Sequence, residues 1–251
     1  MRDIVLPGRT AFSTRDAGLA AKEMLLNGPI RLKLPLGSEG KGQVVITAIE
    51  QLGPALEVLP EEEIATYGLV IEEDLRQVIT RSVGHIVLDD VTMSYHGKQR
   101  LTNDNQGQSV YGGSNLVCVR GTWDALGRLA RTYAERAAVR QARLYDTAMD
   151  EYPGFMASRK NYDVVEGIGN DGQSRSGVLE SSWRVGGATG AEVAALAALR
   201  DPSVQVVEVA HVEEYGADKT PPENAFVHFR GDDPRAGPVL RYTLVRAVRR
   251  A

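Results

Sequence analysis

Three groups of residues in this sequence have the types and spacing that chemistry on a bound anion or metal ion requires. One is the hydrophobic stretch GLVIEEDL, residues 68–75, which ends in three acids. Another is the segment NYDVVEGIGNDGQSRSGVLESSWRVGG, residues 161–187, which carries separated carboxylates. The remaining group combines a lysine in an apolar run with the glycine-rich loop that follows it: Lys33, Gly37, Ser38, Gly40, Lys41 and Gly42.

The glycine-rich loop has two interpretations. Its glycines remove side chains that would keep a bulky anion from the backbone, and its serine and lysine add a hydroxyl and a cation. This composition suits a triphosphate, and it suits a simple hairpin turn between strands at 30–36 and 43–48 as well. A P-loop is excluded, because that motif needs the GxxxxGK[ST] pattern followed by a helix, and neither is present.

The acids also have alternatives. Three acids at the end of a strand can merely be solvated. Asp163 and Glu180 are predicted on two strands joined by an Asn-Asp-Gly turn, where they could share a magnesium ion through oxygen ligands. Without a cation such a pair would repel and raise one pKa. Ser182 and Arg184 follow Glu180 in steps of two, so they share its face of the strand.

Composition excludes several classes of protein. The 251 residues are 43% hydrophobic and 25% charged, as in ordinary globular domains, and the net charge of −4 provides no basic field for nucleic acid. We recognise neither a signal peptide nor an apolar run of membrane-spanning length, and we expect a cytoplasmic protein. The lone Cys118 excludes an internal disulfide, and no spacing typical of zinc ligands occurs among His85, His96, His211 and His228.

The patterns predict mixed helices and strands without a βαβ rhythm, which favours the α+β class. The expected helices cover 13–27, 49–58, 122–150 with a break allowed midway, and 189–200. The expected strands cover 30–36, 43–48, 68–73, 82–89, 91–96, 115–120, 155–166 and 176–184, with two or three more in the tail. The arginine-rich segment 128–143 is either a solvated helix face or a partner surface.

In this order, the lysine strand, glycine-rich hairpin, acid-ended strand and late acid pair resemble the ATP-grasp superfamily. The last strand of that superfamily usually has the pattern E-x-N-x-R, and this chain has Glu180-Ser-Ser182-Trp-Arg184. The stretches VLPGRTAFS, QRLTNDNQGQSVYGGS, YPGFMASRKNYDV and SGVLESSWRVGGATGAE look like a bacterial family of uncharacterised, biotin-carboxylase-like ATP-grasp proteins. This resemblance covers nearly the whole chain.

The resemblance implies an ATP-grasp fold of two α+β subdomains, at 1–75 and 76–251, with the nucleotide between them. The α/β domain of about a hundred residues that usually precedes them has no counterpart here. A shorter native protein, a start assigned late, or a partner chain that supplies this domain would each account for the difference.

The resemblance also implies which residues contact ATP. Lys33 would contact the α- and β-phosphates as a point charge, and the loop at 37–42 would close over them as a lid. The base and ribose would lie near the end of the acid strand and a polar pair: Glu72, Glu73, Asp74, Leu75, Gln99 and Arg100.

The late acid pair would hold magnesium. Asp163 and Glu180 would be ligands, and Ser182 would stand where the superfamily usually has asparagine, with a hydroxyl or a bridging water replacing the amide oxygen. Arg184 would face the acyl phosphate or the substrate, and Lys33 would act with it in catalysis.

The implied function is that of an ATP- and Mg²⁺-dependent ligase. It would activate a small-molecule carboxylate as an acyl phosphate, which an amine or similar nucleophile then captures. Biotin carboxylation, with bicarbonate as the acid, is a special case. The alternative is a nucleotide-binding subunit, or degenerate ATP-grasp protein, that acts through a partner without turnover.

Overall fold

The computed structural model describes residues 4–34, 36 and 42–250. Within them the helices are α1 Thr14–Leu25, α2 Leu52–Glu57, α3 Glu61–Tyr67, α4 Trp123–Leu129, α5 Tyr133–Met149 and α6 Thr189–Leu199, with a short 3-10 helix at Ile49–Gln51. The strands are β1 Gly8–Ala11, β2 Ile30–Lys33, β3 Gln43–Ile46, β4 Leu69–Glu73, β5 Arg76–Leu88, β6 Val91–Asn103, β7 Ser109–Arg120, β8 Arg159–Ile168, β9 Ser174–Ser182, β10 Val204–Tyr215, β11 Phe226–Asp233 and β12 Gly237–Arg250. The predicted α+β class is confirmed.

The chain divides into two units. The first contains Met1–Val78 and Glu166–Ser176, and the second contains Ile79–Val165 and Gly177–Ala251. Each unit is built around a sheet, and the strand pairs β1–β4 in the first and β7–β10 in the second are antiparallel.

The first unit contains a four-stranded sheet in the order β1-β4-β2-β3. One face of this sheet is apolar and packs on α1 and α2, with Ile30, Leu32, Leu69 and Ile71 each at most 1% exposed. Since side chains alternate along a strand, the residues between them point to the other face. That other face carries the charged residues Arg31, Lys33 and Glu72.

The first unit matches the sequence predictions except at β1 and α3, neither of which was expected. Strands β2 and β3 pair as predicted, with Lys33 opposite Gln43, so the glycine-rich loop connects the two strands of a hairpin. Helix α3 was not predicted. Its first turn contains Glu61, Glu62 and Glu63, and acids at that position are favoured by the helix dipole.

The second unit contains an eight-stranded sheet in the order β11-β12-β10-β7-β6-β5-β8-β9. Helix α6 covers one face of it, where Ala191, Ala195 and Leu199 pack against apolar residues that include Tyr95 and Cys118. Cys118 is buried, as expected for a small core residue.

Helices α4 and α5 occupy the opposite face of this sheet. The predicted helix at 122–150 is therefore two helices, interrupted at 130–132. Thr132 caps α5 by accepting the N–H of Glu135, while the Glu135 carboxylate accepts the N–H of Thr132. This capping box explains why a new helix begins there.

Strand β8 shows how the two faces differ. Tyr162 donates to Asp146 of α5 at 2.6 Å, whereas its neighbour Asp163 accepts from Ser82 of β5 at 3.2 Å. Consecutive side chains on β8 thus serve opposite faces of the sheet, as the strand period requires.

Among the described residues, none of the helices combines the length and apolar character needed to cross a bilayer.

Candidate functional site

In the first unit, Lys33 forms an ion pair with Glu72 on the polar face of the sheet. The two side chains are only 14% and 11% exposed. In the strand register Glu72 lies opposite Arg31 and Lys33 lies opposite Val70, so the pair is diagonal across β2 and β4. The structure therefore brings together two residues that sequence reasoning assigned to nucleotide binding, as a charged pair largely withdrawn from water.

Arg31 and Asp74 form a second pair on this face. Arg31 donates from Nε and Nη2 to Asp74 Oδ1 at 2.9 and 2.7 Å, and from Nη1 to Gln43 at 3.1 Å. Arg31 was not among the residues predicted from the sequence to contact a ligand. Its alternation with Leu32, which is buried, was the signal that it belongs to the polar face.

Glu73 and Leu75 point away from the Lys33 pair. Glu73 accepts the backbone N–H of Asn170 at 2.6 Å and lies 3.4 Å from Arg175. Leu75 is a core residue, 7% exposed. These contacts join the end of β4 to the segment at 166–176 within the same unit.

Most of the predicted lid lies outside the described residues, namely Gly37, Ser38, Gly40 and Lys41. Gly42 is described. It has φ +76, a conformation that favours glycine, and its carbonyl accepts the N–H of Leu34 at 3.2 Å.

In the second unit, Asp163 lies in a hydrogen-bonded cluster on the face covered by α6. Its Oδ1 accepts from Ser82 Oγ at 3.2 Å and from Asn161 Nδ2 at 3.1 Å, and Gln99 donates to Ser82 at 3.1 Å. Burial raises the pKa of the Asp163 carboxyl above its ordinary value, against hydrogen bonds from Gln99, Asn161 and Ser82 that lower it. A nearby cation would favour the charged form.

The predicted polar pair Gln99 and Arg100 separates in the structure. Gln99 faces the Asp163 cluster. Arg100, the next residue of β6, lies opposite Gly113, and its charge partly offsets the burial that raises the pKa of the Tyr242 hydroxyl. Only Gln99 is brought to the candidate metal ligand.

Arg159 holds the end of β9. Its Nη1 donates to the carbonyl of Ser182 at 2.9 Å, to Ser182 Oγ at 3.3 Å and to the carbonyl of Arg184 at 2.5 Å. The Arg184 side chain itself is exposed and donates to the carbonyl of Val185 at 2.9 Å. The backbone of the E-S-S-W-R segment is therefore fixed from its C-terminal end.

The remaining guanidinium nitrogens of Arg159 bind Glu192 of α6, at 2.9 and 2.7 Å. Glu192 also accepts a short hydrogen bond from Tyr95, and Tyr95 lies 2.9 Å from Asn161, which donates to Asp163. A continuous polar network thus connects Ser182 and Arg184 with Asp163.

The residues that build this network were not predicted from the sequence. Glu192 had a signal, because it is a single acid in the apolar segment GAEVAALAALR. Arg159, Tyr95, Asn161 and Ser82 had none, because their role depends on which strands are adjacent in the sheet.

Glu180 is exposed on β9, the neighbour of β8 in the sheet. Trp183 has the opposite orientation: its Nε1 lies 3.4 Å from the Tyr162 hydroxyl, and the centre of its ring lies 4.5 Å from that of Phe155.

The donor types fit magnesium better than a transition metal. Asp163, Glu180 and Ser182 offer only oxygen atoms, which Mg²⁺ prefers. Among the residues that the structure describes, no group of three or more histidine, cysteine or acidic side chains is arranged to hold a metal ion. Magnesium commonly uses one or two carboxylates and completes its shell with water and substrate phosphates, so two carboxylates are sufficient donors.

Comparison with known proteins identifies the fold. The chain aligns with N5-carboxyaminoimidazole synthetase from Staphylococcus aureus complexed with ADP, at 12% identity and TM-score 0.57, over 98% of this chain and 63% of that one. A second structure of that enzyme gives 14% identity and TM-score 0.56 over 97% and 63%. The biotin carboxylase–β,γ-ATP complex from Campylobacter jejuni gives 13% identity and TM-score 0.53 over 97% and 59%.

The chain therefore spans less than two thirds of the length of these enzymes, and the likeness shows their common fold. No curated protein sequence matches the chain. A family model described as "Protein of unknown function (DUF3182)" matches residues 1–243. The protein has the ATP-grasp fold, as predicted, and it belongs to the DUF3182 family.

Proposed function

We propose that this protein is an ATP- and Mg²⁺-dependent ligase that activates a carboxylate as an acyl phosphate for attack by an amine or a similar nucleophile. The observation that carries the proposal is the network from Asp163 through Asn161, Tyr95, Glu192 and Arg159 to the end of β9. It connects Asp163 with the end of β9, the two places to which the sequence resemblance assigns metal ligands and an arginine.

The chain's residues have separable roles in this proposal. Lys33, now paired with Glu72, exchanges that partner for phosphate oxygens when ATP binds. Asp163 and Glu180 hold Mg²⁺, with the Ser182 hydroxyl as a further oxygen. Arg184, whose guanidinium is exposed, binds the carboxylate substrate and the acyl phosphate made from it. When bound, Mg²⁺ supplies positive charge that stabilises the transferred phosphoryl group.

Nucleotide binding without turnover is the second candidate. The contact between the Ser182 hydroxyl and Arg159 favours it, because a hydroxyl that accepts from a guanidinium has less capacity to bind a metal ion. In that case the protein would bind ATP and act on a partner chain.

The test is ATP turnover by the full chain in the presence of Mg²⁺, an amine donor and a panel of small carboxylates that includes bicarbonate. Thermal unfolding with ATP, with and without Mg²⁺, is measured alongside. Carboxylate-dependent release of ADP supports the ligase. Mg-ATP stabilisation without turnover supports the second candidate, and the absence of any effect of Mg-ATP overturns both.

A further inference from the structure

An arginine-lined cleft lies between α4 and α5 of the second unit. Its volume is about 530 Å³, within the range of about 300–1,000 Å³ typical of small-molecule sites. Arg128 comes from the last turn of α4, and Arg136, Arg140 and Arg143 come from α5. The spacing of the last three, four and then three residues apart, places them on one face of α5.

The charges in this cleft are largely uncompensated. Asp124, the single acid in the lining, pairs with Arg143 at 2.6 Å. Arg136 donates to the carbonyl of Arg131 at 2.5 Å. This hydrogen bond is to a neutral group, so it does not compensate the positive charge of Arg136. Among the described residues, neither Arg128 nor Arg140 has a hydrogen-bond or ion-pair partner.

The concentration of positive charge in this cleft is unexpected for two reasons. The protein has a net charge of −4, yet three positive charges remain unpaired around one cleft. Like charges four residues apart on a helix also destabilise it, as Arg136 and Arg140 do on α5. A helix face that only contacts water does not require several positive charges close together. A bound anion would offset the repulsion between them.

The cleft is separate from the candidate metal ligands. Trp123, in its lining, donates to Asp146 at 3.1 Å, and Asp146 accepts from Tyr162. Tyr162 and Asp163 point to opposite faces of the sheet. The cleft therefore lies on the face that Asp163 does not serve.

We propose that this cleft is a second binding site, which takes a phosphorylated small molecule. Guanidinium groups bind phosphate through paired, charge-assisted hydrogen bonds, and three unpaired charges match one or two phosphate groups. Trp123, which is half-buried, adds apolar surface against which the organic part of such a molecule can pack. The assignment is independent of the proposed ligase activity.

Calorimetric titration tests the site, using the full chain with inorganic pyrophosphate and with phenyl phosphate. A chelator is present to suppress Mg²⁺-dependent nucleotide-site binding. The variant Arg128→Gln/Arg140→Gln is compared with Arg15→Gln/Arg200→Gln, which changes two exposed arginines elsewhere. We expect the cleft variant to weaken phosphate binding at least about tenfold, the loss expected for two charge-assisted contacts, and the control variant to match the wild type.

Two results would overturn the proposal. One is the absence of binding of both probes at millimolar concentration, or binding that the cleft variant leaves unchanged. The other is selective, cleft-dependent binding of a pentaglutamate peptide in place of the phosphates, which would make the cleft a peptide surface. Thermal unfolding of both variants confirms that each is folded, and removing like charges should leave the cleft variant at least as stable as the control.

Discussion

Arg159 and Glu192 form a bidentate ion pair next to the end of β9, and their side chains are only 13% and 2% exposed. The same guanidinium donates to the carbonyls of Ser182 and Arg184. One arginine thus connects helix α6 to the strand that carries the candidate metal and substrate residues, so its removal should affect both stability and geometry.

We expect Arg159→Ala to lower the free energy of unfolding by about 3–5 kcal/mol, because it leaves the Glu192 carboxylate buried and unpaired. Arg159→Lys keeps the charge but loses the planar fork, and should cost about 1–3 kcal/mol. Urea unfolding measures both. The control is Arg143→Ala, whose pair with Asp124 is 50% and 64% exposed and should be worth at most about 1 kcal/mol. Equal losses for Arg159→Ala and the control would contradict the assignment.

The Lys33 and Glu72 pair can be tested by a double substitution. Lys33→Met and Glu72→Leu should each destabilise the protein by about 3–5 kcal/mol, because each leaves one largely buried charge. The double variant should recover most of that loss, since apolar residues of similar volume can replace a buried pair. Because it lacks the lysine cation, it should also lose stabilisation by ATP. A stable double variant that still responds to Mg-ATP as the wild type does would exclude Lys33 from phosphate binding.

Glu180→Gln should separate metal binding from folding. Glu180 is exposed, so the substitution should change the metal-free stability by no more than about 0.5 kcal/mol. In the wild type, Mg-ATP at about 100 times its dissociation constant should add roughly 2.7 kcal/mol. The variant should lose most of that gain, and Glu57→Gln, which changes another exposed glutamate, should keep it. A variant that retains the full Mg-ATP response would show that Glu180 is not a magnesium ligand.

Glu213 predicts a specific dependence of stability on pH. Burial alone would raise the pKa of its carboxyl, but hydrogen bonds from His211 and Arg241 and their charges hold that pKa below its ordinary value of 4.5. Such a group contributes stability above the unfolded pKa and loses it as the pH falls through the folded value.

Glu213→Gln should therefore cost about 1.5–3 kcal/mol at neutral pH, the worth of its charged hydrogen bonds. The difference from the wild type should shrink as the pH falls below 4.5, the ordinary value for this carboxyl. Unfolding free energies measured from neutral to acid pH check this. A difference that stays constant with pH would mean that the carboxylate charge is not what stabilises the fold.

Two glycines predict opposite outcomes for the same substitution. A Cβ on Gly97 would lie 1.9 Å from the carbonyl oxygen of Asn115 on the adjacent strand, so Gly97→Ala must displace backbone and should prevent stable folding. A Cβ on Gly127, inside α4, would meet nothing within 4 Å. Gly127→Ala should instead raise the free energy of unfolding by about 0.5–1 kcal/mol, the difference in helix propensity. Thermal unfolding of the two variants distinguishes them.

Local pattern predicted much of this fold. Helix α1, the hairpin of β2 and β3, and helix α6 follow from residues near each other in sequence. Helix α3 was missed because Glu61, Glu62 and Glu63 are compatible with both a helix start and a solvated loop. The lengths of β5, β6 and β7 were underestimated, since polar residues in long strands face a polar network that only the assembled sheet reveals.

The residues of the candidate site also fall into those that were predicted from the sequence and those that were not. Asp163, Glu180 and Ser182 were predicted from the sequence because their order resembles a known motif, and their role as metal ligands stays a prediction. Arg159, Tyr95 and Glu192 were not, because their contacts join residues between 23 and 97 positions apart. Such contacts follow from strand order in the sheet, which the sequence patterns of single elements do not specify.

The alternation of β8 limits how this protein can vary in length. Odd-numbered side chains from Arg159 to Asp163 serve the hydrogen-bonded network, and even-numbered ones, Lys160 and Tyr162, serve the aromatic packing on α5. Deleting or inserting one residue here would exchange the two sets, placing a tyrosine in the polar network and a carboxylate among aromatic rings. A single substitution in β8 therefore affects only one face of the sheet. An insertion or deletion would have to occur outside the strand, in turns such as 169–173.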